Sequence, residues 1–333
     1  MSAYDAAVGG NGSNSEQETT AKFDRAELVR GWREYEARQP RVVPVLKYAA
    51  KTDMGQVREN NEDKFDYYEP EHPAILAARG SLFAVADGIG GAQAGQIASE
   101  MMLKQLIASY YDSPAPNPEN ALYDAISQAN DRIYHLAQMI PERNGMGTTL
   151  IGAIFIEDEV LIAQVGDSRA YLIRDGVVTQ VSVDHSWVEE SVRAGLMTRE
   201  AAETSPFRNV ITRSVGAAAS VEPDFYREAV RPGDIWVLCS DGLTGYVSDD
   251  EIRTIAGSHP PAEAARQFIE LANARGGRDN ITVFVLSVRD LFPYSNEAVA
   301  EGVAGAAPSA AIPVNGLPAQ ERPRSLWGKL FGK

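Results

Sequence analysis

Thr149-Leu150-Ile151-Gly152-Ala153-Ile154-Phe155-Ile156 begins a succession of short apolar segments. It continues with Val160-Leu161-Ile162-Ala163-Gln164-Val165, Ala170-Tyr171-Leu172-Ile173 and Val177-Val178-Thr179-Gln180-Val181. Each segment is rich in β-branched or aromatic residues and bounded by charged or glycine-containing breaks, the pattern of a strand. Arg174-Asp175-Gly176, between the last two, carries a hairpin turn signal. Working outward, further strands are expected at Leu82–Ala86, Ile235–Leu238 and Ile281–Val288. Amphipathic helices are expected where Leu122, Ile126, Ala129, Ile133 and Leu136, and then Ala265, Phe268, Ile269 and Ala272, recur at helical spacing. Several strands therefore follow one another between 149 and 183 with no helix between them. That order predicts an α+β architecture with antiparallel sheets rather than a doubly wound α/β sheet.

The chain has 333 residues, 44% of them hydrophobic, a single Cys and a formal charge of −15. One cysteine excludes an internal disulfide and a multi-cysteine zinc site. No apolar run approaches the roughly 20 residues of a spanning helix, and Met1 to Thr20 lacks the basic-then-apolar layout of a secretory signal. The acidity argues against a nucleic-acid partner, whose phosphate backbone is itself anionic. These features suit a cytoplasmic protein, expected to act as a monomer.

Four regions are distinguished. Residues 1–46 form an N-terminal extension, polar at first, with a helical pattern from Phe23 to Arg38 that Pro40 and Pro44 end. Residues 47–290 hold the mixed strand and helix pattern and suffice for one sizeable domain. Residues 291–324 read as a flexible Ala/Pro/Gly-rich linker. Residues 325–333 form a short basic amphipathic tail, with Trp327, Leu330 and Phe331 on one helical face and Lys329 and Lys333 beside them; it suits docking on an anionic membrane surface or a partner protein. Residues 1–46 carry a net −1 and residues 297–333 a net +1, so the whole charge of −15 belongs to the middle.

Within the middle, acids stand at strand ends. Leu82–Ala86 runs into Asp87-Gly88-Ile89-Gly90-Gly91, Leu161–Val165 into Gly166-Asp167-Ser168-Arg169, and Ile235–Cys239 into Ser240-Asp241-Gly242. Asp279-Asn280 leads into the strand at Ile281. An Asp-Gly after a strand is ordinarily a turn, but Asp87-Gly88 is followed by a helical stretch, and the pattern recurs at widely separated places. Carboxylates converging on one rim raise one another's pKa unless a cation compensates them. With only oxygen ligands in prospect, that cation is hard, Mg²⁺ or Mn²⁺, and not zinc. The Gly88–Gly90 pair does not make a dinucleotide fingerprint, since Gln93 stands where the third glycine is needed.

The motifs taken together resemble the metal-dependent type 2C protein serine/threonine phosphatases of the bacterial branch. In order they are Thr52-Asp53-Met54-Gly55, Arg58-Glu59-Asn60-Asn61-Glu62-Asp63, Asp87-Gly88-Ile89-Gly90-Gly91, Gly147-Thr148-Thr149, Gly166-Asp167-Ser168-Arg169-Ala170-Tyr171, Asp184-His185-Ser186, Ser240-Asp241-Gly242 and Arg278-Asp279-Asn280. The resemblance implies a four-layer α/β/β/α sandwich, two antiparallel sheets flanked by helices. It implies hydrolysis of phosphoserine and phosphothreonine on proteins by a water or hydroxide bridging two Mn²⁺ or Mg²⁺ ions, in a signalling role that opposes a serine/threonine kinase. By the same resemblance Asp87 bridges the two metals, with the Gly88 carbonyl on one of them. Asp241 and Asp279 are ligands of the other, and Glu62 and Asp63 hold metal or its water. Asp167 with Asp241 takes a third ion, and Arg58 grips the substrate phosphate.

Some positions are read apart from that set. Many relatives have a histidine after the Asp-Gly pair; here Ile89 stands there and carries no proton, so water is the expected acid. Neither His72, His135 nor His185 is an obvious replacement, and His185 is expected to make a structural hydrogen bond. Cys239 reads as a buried core thiol. Residues about 185–213 resemble the flap of the bacterial branch. The rival to an enzyme is an inactive family member that binds phosphoproteins or regulates; it would be expected to have lost one of Asp87, Asp241 or Asp279, and all three are present.

Overall fold

The computed structural model describes residues 38–294 apart from 141, 142 and 144. The helix expected at Phe23–Arg38 up to residue 37, the linker beyond Tyr294 and the basic tail lie outside the described residues; residues 291–293, expected to open the linker, belong instead to the last strand. The elements are β1 (Val42–Asp53), β2 (Lys64–Tyr68), α1 (Pro73–Arg79), β3 (Ser81–Ala86), β4 (Gly88–Ile89), α2 (Ala92–Asp112) and α3 (Pro118–Met139). Then come β5 (Gly147–Thr148), β6 (Leu150–Ile156), β7 (Glu159–Val165), β8 (Arg169–Arg174), β9 (Val177–Gln180), α4 (Trp187–Arg193) and α5 (Arg199–Glu203). The last are β10 (Asp224–Ala229), β11 (Ile235–Cys239), α6 (Asp241–Thr244), α7 (Asp249–Ser258), α8 (Pro261–Ala274) and β12 (Ile281–Pro293).

One five-stranded sheet has the order β1-β12-β11-β8-β9 and the other β10-β7-β6-β3-β2. All their pairings are antiparallel. Side chains alternate between the two faces of a strand, and here the alternation sorts residues into three apolar layers. Phe83, Val85, Ile151, Phe155 and Ile162 from one sheet meet Leu172, Trp236, Leu238, Phe284 and Leu286 from the other, filling the space between the sheets. The residues between them in sequence point outward. Leu82, Ala84, Ile154 and Leu161 pack under α2 and α3 through Met102, Leu106, Ile126 and Ile133. Tyr171, Val237, Val283 and Val285 pack under α7 and α8 through Ile252, Phe268 and Ile269. This is the four-layer sandwich that the resemblance implied.

Helix ends follow local chemistry. The Asn117 side chain accepts from the Asn120 N–H ahead of α3, with Pro118 as first helical residue. Ser248 and Glu251 form a reciprocal capping box at α7. At the expected hairpin Arg174 pairs with Val177, and Asp175 and Gly176 both take positive φ, 52° and 75°.

The strands missed by sequence lie at sheet edges. Both β2 and β10 are edge strands with no fully buried residue, so neither shows an apolar run. The edge strand β1 begins at Val42 and includes Pro44, which sequence reading takes as a terminator. An edge position leaves proline's missing N–H without cost, and a bulge between Val45 and Leu46 absorbs the irregularity. Its partner β12 continues past Val288 to Pro293 against Val42–Val45, where exposure removes the apolar signal.

Phe83 is fully buried between the sheets. Its ring lies 5.0 Å from Tyr48, 5.4 Å from Phe284 and 5.9 Å from Phe155. Phe83→Ala is expected to cost about 3–5 kcal/mol in chemical denaturation. A loss under about 1 kcal/mol would show that this cluster does not join the two sheets.

Candidate active site

Sheet register brings the acidic strand ends together. Lys64 pairs with Ala86, so Asp63 stands beside Asp87. Cys239 pairs with Val283, so Asp241, past the end of β11, lies near Asp279, ahead of the start of β12. Leu150 pairs with Val165, which puts Asp167 next to the Thr148–Thr149 segment that follows the Asp87 turn. All of these ends open on one rim of the sandwich.

Neutral hydrogen bonds fix the acidic segments. Asp87 N–H donates to Thr149 Oγ1 (2.9 Å), while Thr149 N–H and Thr148 Oγ1 both donate to the Asp87 carbonyl, each at 2.8 Å. Ser240 Oγ donates to Asp63 Oδ2 (2.7 Å) and accepts from Thr282 N–H (3.0 Å). Asn280 is the clamp of the Met54–Asp63 loop. Its Oδ1 accepts from Glu62 N–H (2.8 Å), and its Nδ2 donates to the carbonyls of Met54 and Asn60, both at 2.9 Å. Ser99 on α2 donates to the Glu62 carbonyl at 2.5 Å. Glycine is required where α2 meets the Asp87 turn. A Cβ on Gly88 would stand 2.3 Å from the Gly95 carbonyl oxygen, and one on Gly95 would stand 1.9 Å from Glu62 Oε2.

The electrostatics are those of crowded like charges. Burial, followed by Asp63, Asp241, Asp167 and Asp279, holds Asp87 well above the usual carboxylate range. Asp167 is raised by burial and then by Asp241, and Asp241 by burial and then by Asp279. Burial pushes Asp63 up to about 6 against the opposing hydrogen bonds of Ser240 and Thr282. Arg58 forms an ion pair at the rim: its Nη2 lies 2.7 Å from Asp279 Oδ2, and its charge also feels Glu62 and Asp87.

The donor set fits a hard divalent cation. It consists of carboxylate and carbonyl oxygens, and Asp63 Oδ1 and Asp167 Oδ1 are buried with no hydrogen-bond partner. Among the described residues no three acidic, histidine or cysteine groups are drawn into a closed coordination set.

The structure thus gathers Arg58, Glu62, Asp63, Asp87, Gly88, Asp167, Asp241 and Asp279 at one rim. The pairing of Arg58 with Asp279 is new. So are Asn280, Ser240, Thr149 and Ser99, which sequence reading left without a role because a neutral clamp has no charge pattern to betray it. His185 makes its expected structural contact: its Nδ1 accepts from Gly166 N–H at 3.1 Å, beside Asp167. His135 is exposed on α3. The 185–213 segment holds α4 and α5 and closes on itself where Ser186 bridges Ile211. It is rooted at the Asp167 turn through His185 N–H to the Gly166 carbonyl (2.9 Å) and Thr212 N–H to the His185 carbonyl (2.8 Å).

Among solved structures with this architecture are bacterial serine/threonine phosphatases. That of S. agalactiae superposes with a TM-score of 0.68 at 36% identity, over 74% of this chain and all of that one. The catalytic domain of PstP, solved with two manganese ions, gives 0.64 at 38% identity over 75% of this chain and all of that domain. Residues 50–192 match the family described as Protein phosphatase 2C. The serine/threonine phosphatase stp of Listeria monocytogenes is 37% identical over 255 residues, 74% of this chain and 98% of its own length. PstP of Mycobacterium tuberculosis is 39% identical over 250 residues, 75% of this chain and 46% of its own length. The chain belongs to the protein phosphatase 2C family.

Two outcomes follow from this geometry. Asn280→Ala leaves one buried N–H and two carbonyls without their partner, and an expected loss of about 3 kcal/mol in urea unfolding checks the clamp. The second concerns pH. The folded pKa of Asp63 is raised to about 6, above its value in the unfolded chain, so the folded state holds the proton more tightly. In chelator, stability should therefore fall as pH rises through about 6. A melting temperature in EDTA that rises instead over that window would contradict the assignment.

Proposed function

We propose that residues 47–290 hydrolyse phosphoserine and phosphothreonine on proteins at this rim. Asp87, the Gly88 carbonyl, Glu62, Asp63, Asp241 and Asp279 would hold two Mn²⁺ or Mg²⁺ ions, Asp167 with Asp241 a third, and Arg58 would receive the phosphate. The observation that carries the reading is the crowded set of mutually repelling carboxylates, with Asp63 and Asp167 buried and each holding an unpartnered oxygen, facing the half-exposed Arg58. All the acids whose loss would mark an inactive relative are in place.

When bound, such ions acidify a water near neutral pH and draw charge from phosphoryl oxygens. The chain's own part is positioning. The Thr148, Thr149, Asn280 and Ser240 bonds hold the carboxylates on rigid strand ends, so no reorganisation is needed as charge develops. Arg58 and Asp279 are both more than a third exposed, and such a pair contributes at most about 1 kcal/mol. The guanidinium can therefore leave Asp279 for a phosphate, which it grips through two parallel bonds. Ile89 lies in β4 opposite Gly147 and carries no proton, so the leaving alkoxide takes its proton from water. Cys239 is fully buried, with its thiol pushed up to about 12 by burial, and takes no part.

The substrates would be phosphoproteins in the cytoplasm, a serine/threonine kinase among them, and the chain would act as a monomer. Among the described residues no helix is long and apolar enough to cross a membrane. Residues 325–333 would dock the enzyme on an anionic membrane or a partner. Anionic vesicles should sediment the full chain and not a version ending before Ser325; equal sedimentation would end the membrane version.

Hydrolysis of a phosphothreonine peptide tests the chemistry. It should require Mn²⁺ or Mg²⁺, stop in EDTA, and drop at least about 100-fold in kcat in Asp87→Asn or Asp241→Asn. Arg58→Ala should raise KM about tenfold or more. Turnover without metal, or full activity in both aspartate variants, would overturn the mechanism.

A further inference from the structure

A second, fully formed ion pair lies directly beneath the rim. Arg169 is the first residue of β8 and stands opposite Cys239, the last residue of β11. Two residues before Arg169 is Asp167, and two residues after Cys239 is Asp241. The guanidinium therefore sits between the two turns that carry those carboxylates. It faces the α7/α8 side with Tyr171, whose hydroxyl accepts from Arg169 Nη1 at 3.0 Å. Its Nε and Nη2 grip Asp184 through Nε–Oδ1 (2.9 Å) and Nη2–Oδ2 (2.7 Å), and the two side chains are 27% and 12% exposed. Asp184 is locked in turn. Gln180 Nε2 donates to its Oδ1 (3.2 Å), and the next residue, His185, exchanges two hydrogen bonds with Gly166 beside Asp167.

Arg169 thus spends its fork on Asp184 and Tyr171. A lone buried cation here would compete with any cation at the rim; a lone buried anion would add to the repulsion already present.

We propose that Arg169 and Asp184 form a charge-neutral pair that sets cation affinity at the Asp167–Asp241 end of the site. Arg169 orders the two acidic turns, and Asp184 cancels the positive charge that would otherwise repel the ion. Both are positioning residues, and the inference rests on the reading of the rim as a divalent-cation site.

The sign of the effect separates this role from simple structural support. Mn²⁺ is titrated calorimetrically into the metal-stripped full-length chain at mildly alkaline pH, with melting in EDTA to confirm folding. Asp184→Asn leaves Arg169 uncompensated and should weaken binding about tenfold. Arg169→Gln leaves Asp184 uncompensated and should bind Mn²⁺ at least as tightly as the unaltered chain, despite a lower melting temperature. The double variant Arg169→Gln/Asp184→Asn restores neutrality and should return to within about threefold of the original affinity. Equal weakening in both single variants, or no change in Asp184→Asn, would overturn the proposal. Should Asp184→Asn not fold, weaker binding by Arg169→Gln overturns it as well. Failure of the unaltered chain to bind Mn²⁺, or binding unchanged in Asp241→Asn, would instead overturn the reading of the rim.

Discussion

Carboxylates crowded side by side repel one another, and at the rim of this protein Asp63 and Asp167, both buried, and Asp87 and Asp241, both half-buried, lie within one another's field. Nothing local to any of the four turns would hold such a group together. What holds it is the register in which strands pair. Lys64 must meet Ala86, Leu150 must meet Val165, and Cys239 must meet Val283. A slip of one residue in any of these registers would turn every apolar side chain of that strand to the wrong face. The three packed layers therefore fix the position of the acids as firmly as they fix the fold.

The protein compensates this crowding sparingly. Its clamps are hydroxyls, amides and backbone N–H groups, which orient the carboxylates without neutralising them. The arginine nearest the rim, Arg58, is half exposed and loosely held. The better-held Arg169 is already matched by Asp184. Charge is left uncompensated where the chemistry needs a cation, and cancelled one layer below. A set of permanent lysines or arginines at the rim would have stabilised the metal-free fold at the cost of the site.

Much of this was legible in the sequence because one physical pattern, an apolar strand ending on Asp, marks both the fold and the site. The apolar strands at Leu150–Ile156 and Ile281–Val288 and the hairpin at Asp175-Gly176 could be read for the same reason: each depends on neighbours in the chain. Three of the edge strands could not. Lys64–Tyr68 and Asp224–Ala229 bury no side chain completely, and Pro44 argues against a strand unless the strand is known to be an edge. The pairing of Arg58 with Asp279 and the threefold grip of Asn280 join segments more than 200 residues apart. No spacing rule spans such a distance; only the folded register shows it.

Cys239 closes β11 just before the acidic turn, fully buried, with its proton held to about 12, and it is the chain's single cysteine. Thiol reagents act on the thiolate, so the unaltered protein presents them with almost nothing to react with. A cysteine introduced anywhere on the exposed surface would then be the one labelled position. Spin labels or fluorophores could be set on the 185–213 segment or beside Arg58 one at a time, with no background to remove. A paramagnetic Mn²⁺ at the rim would serve as the second reporter. The burial of one spectator side chain thus leaves the molecule ready for distance measurements between its active site and its surroundings.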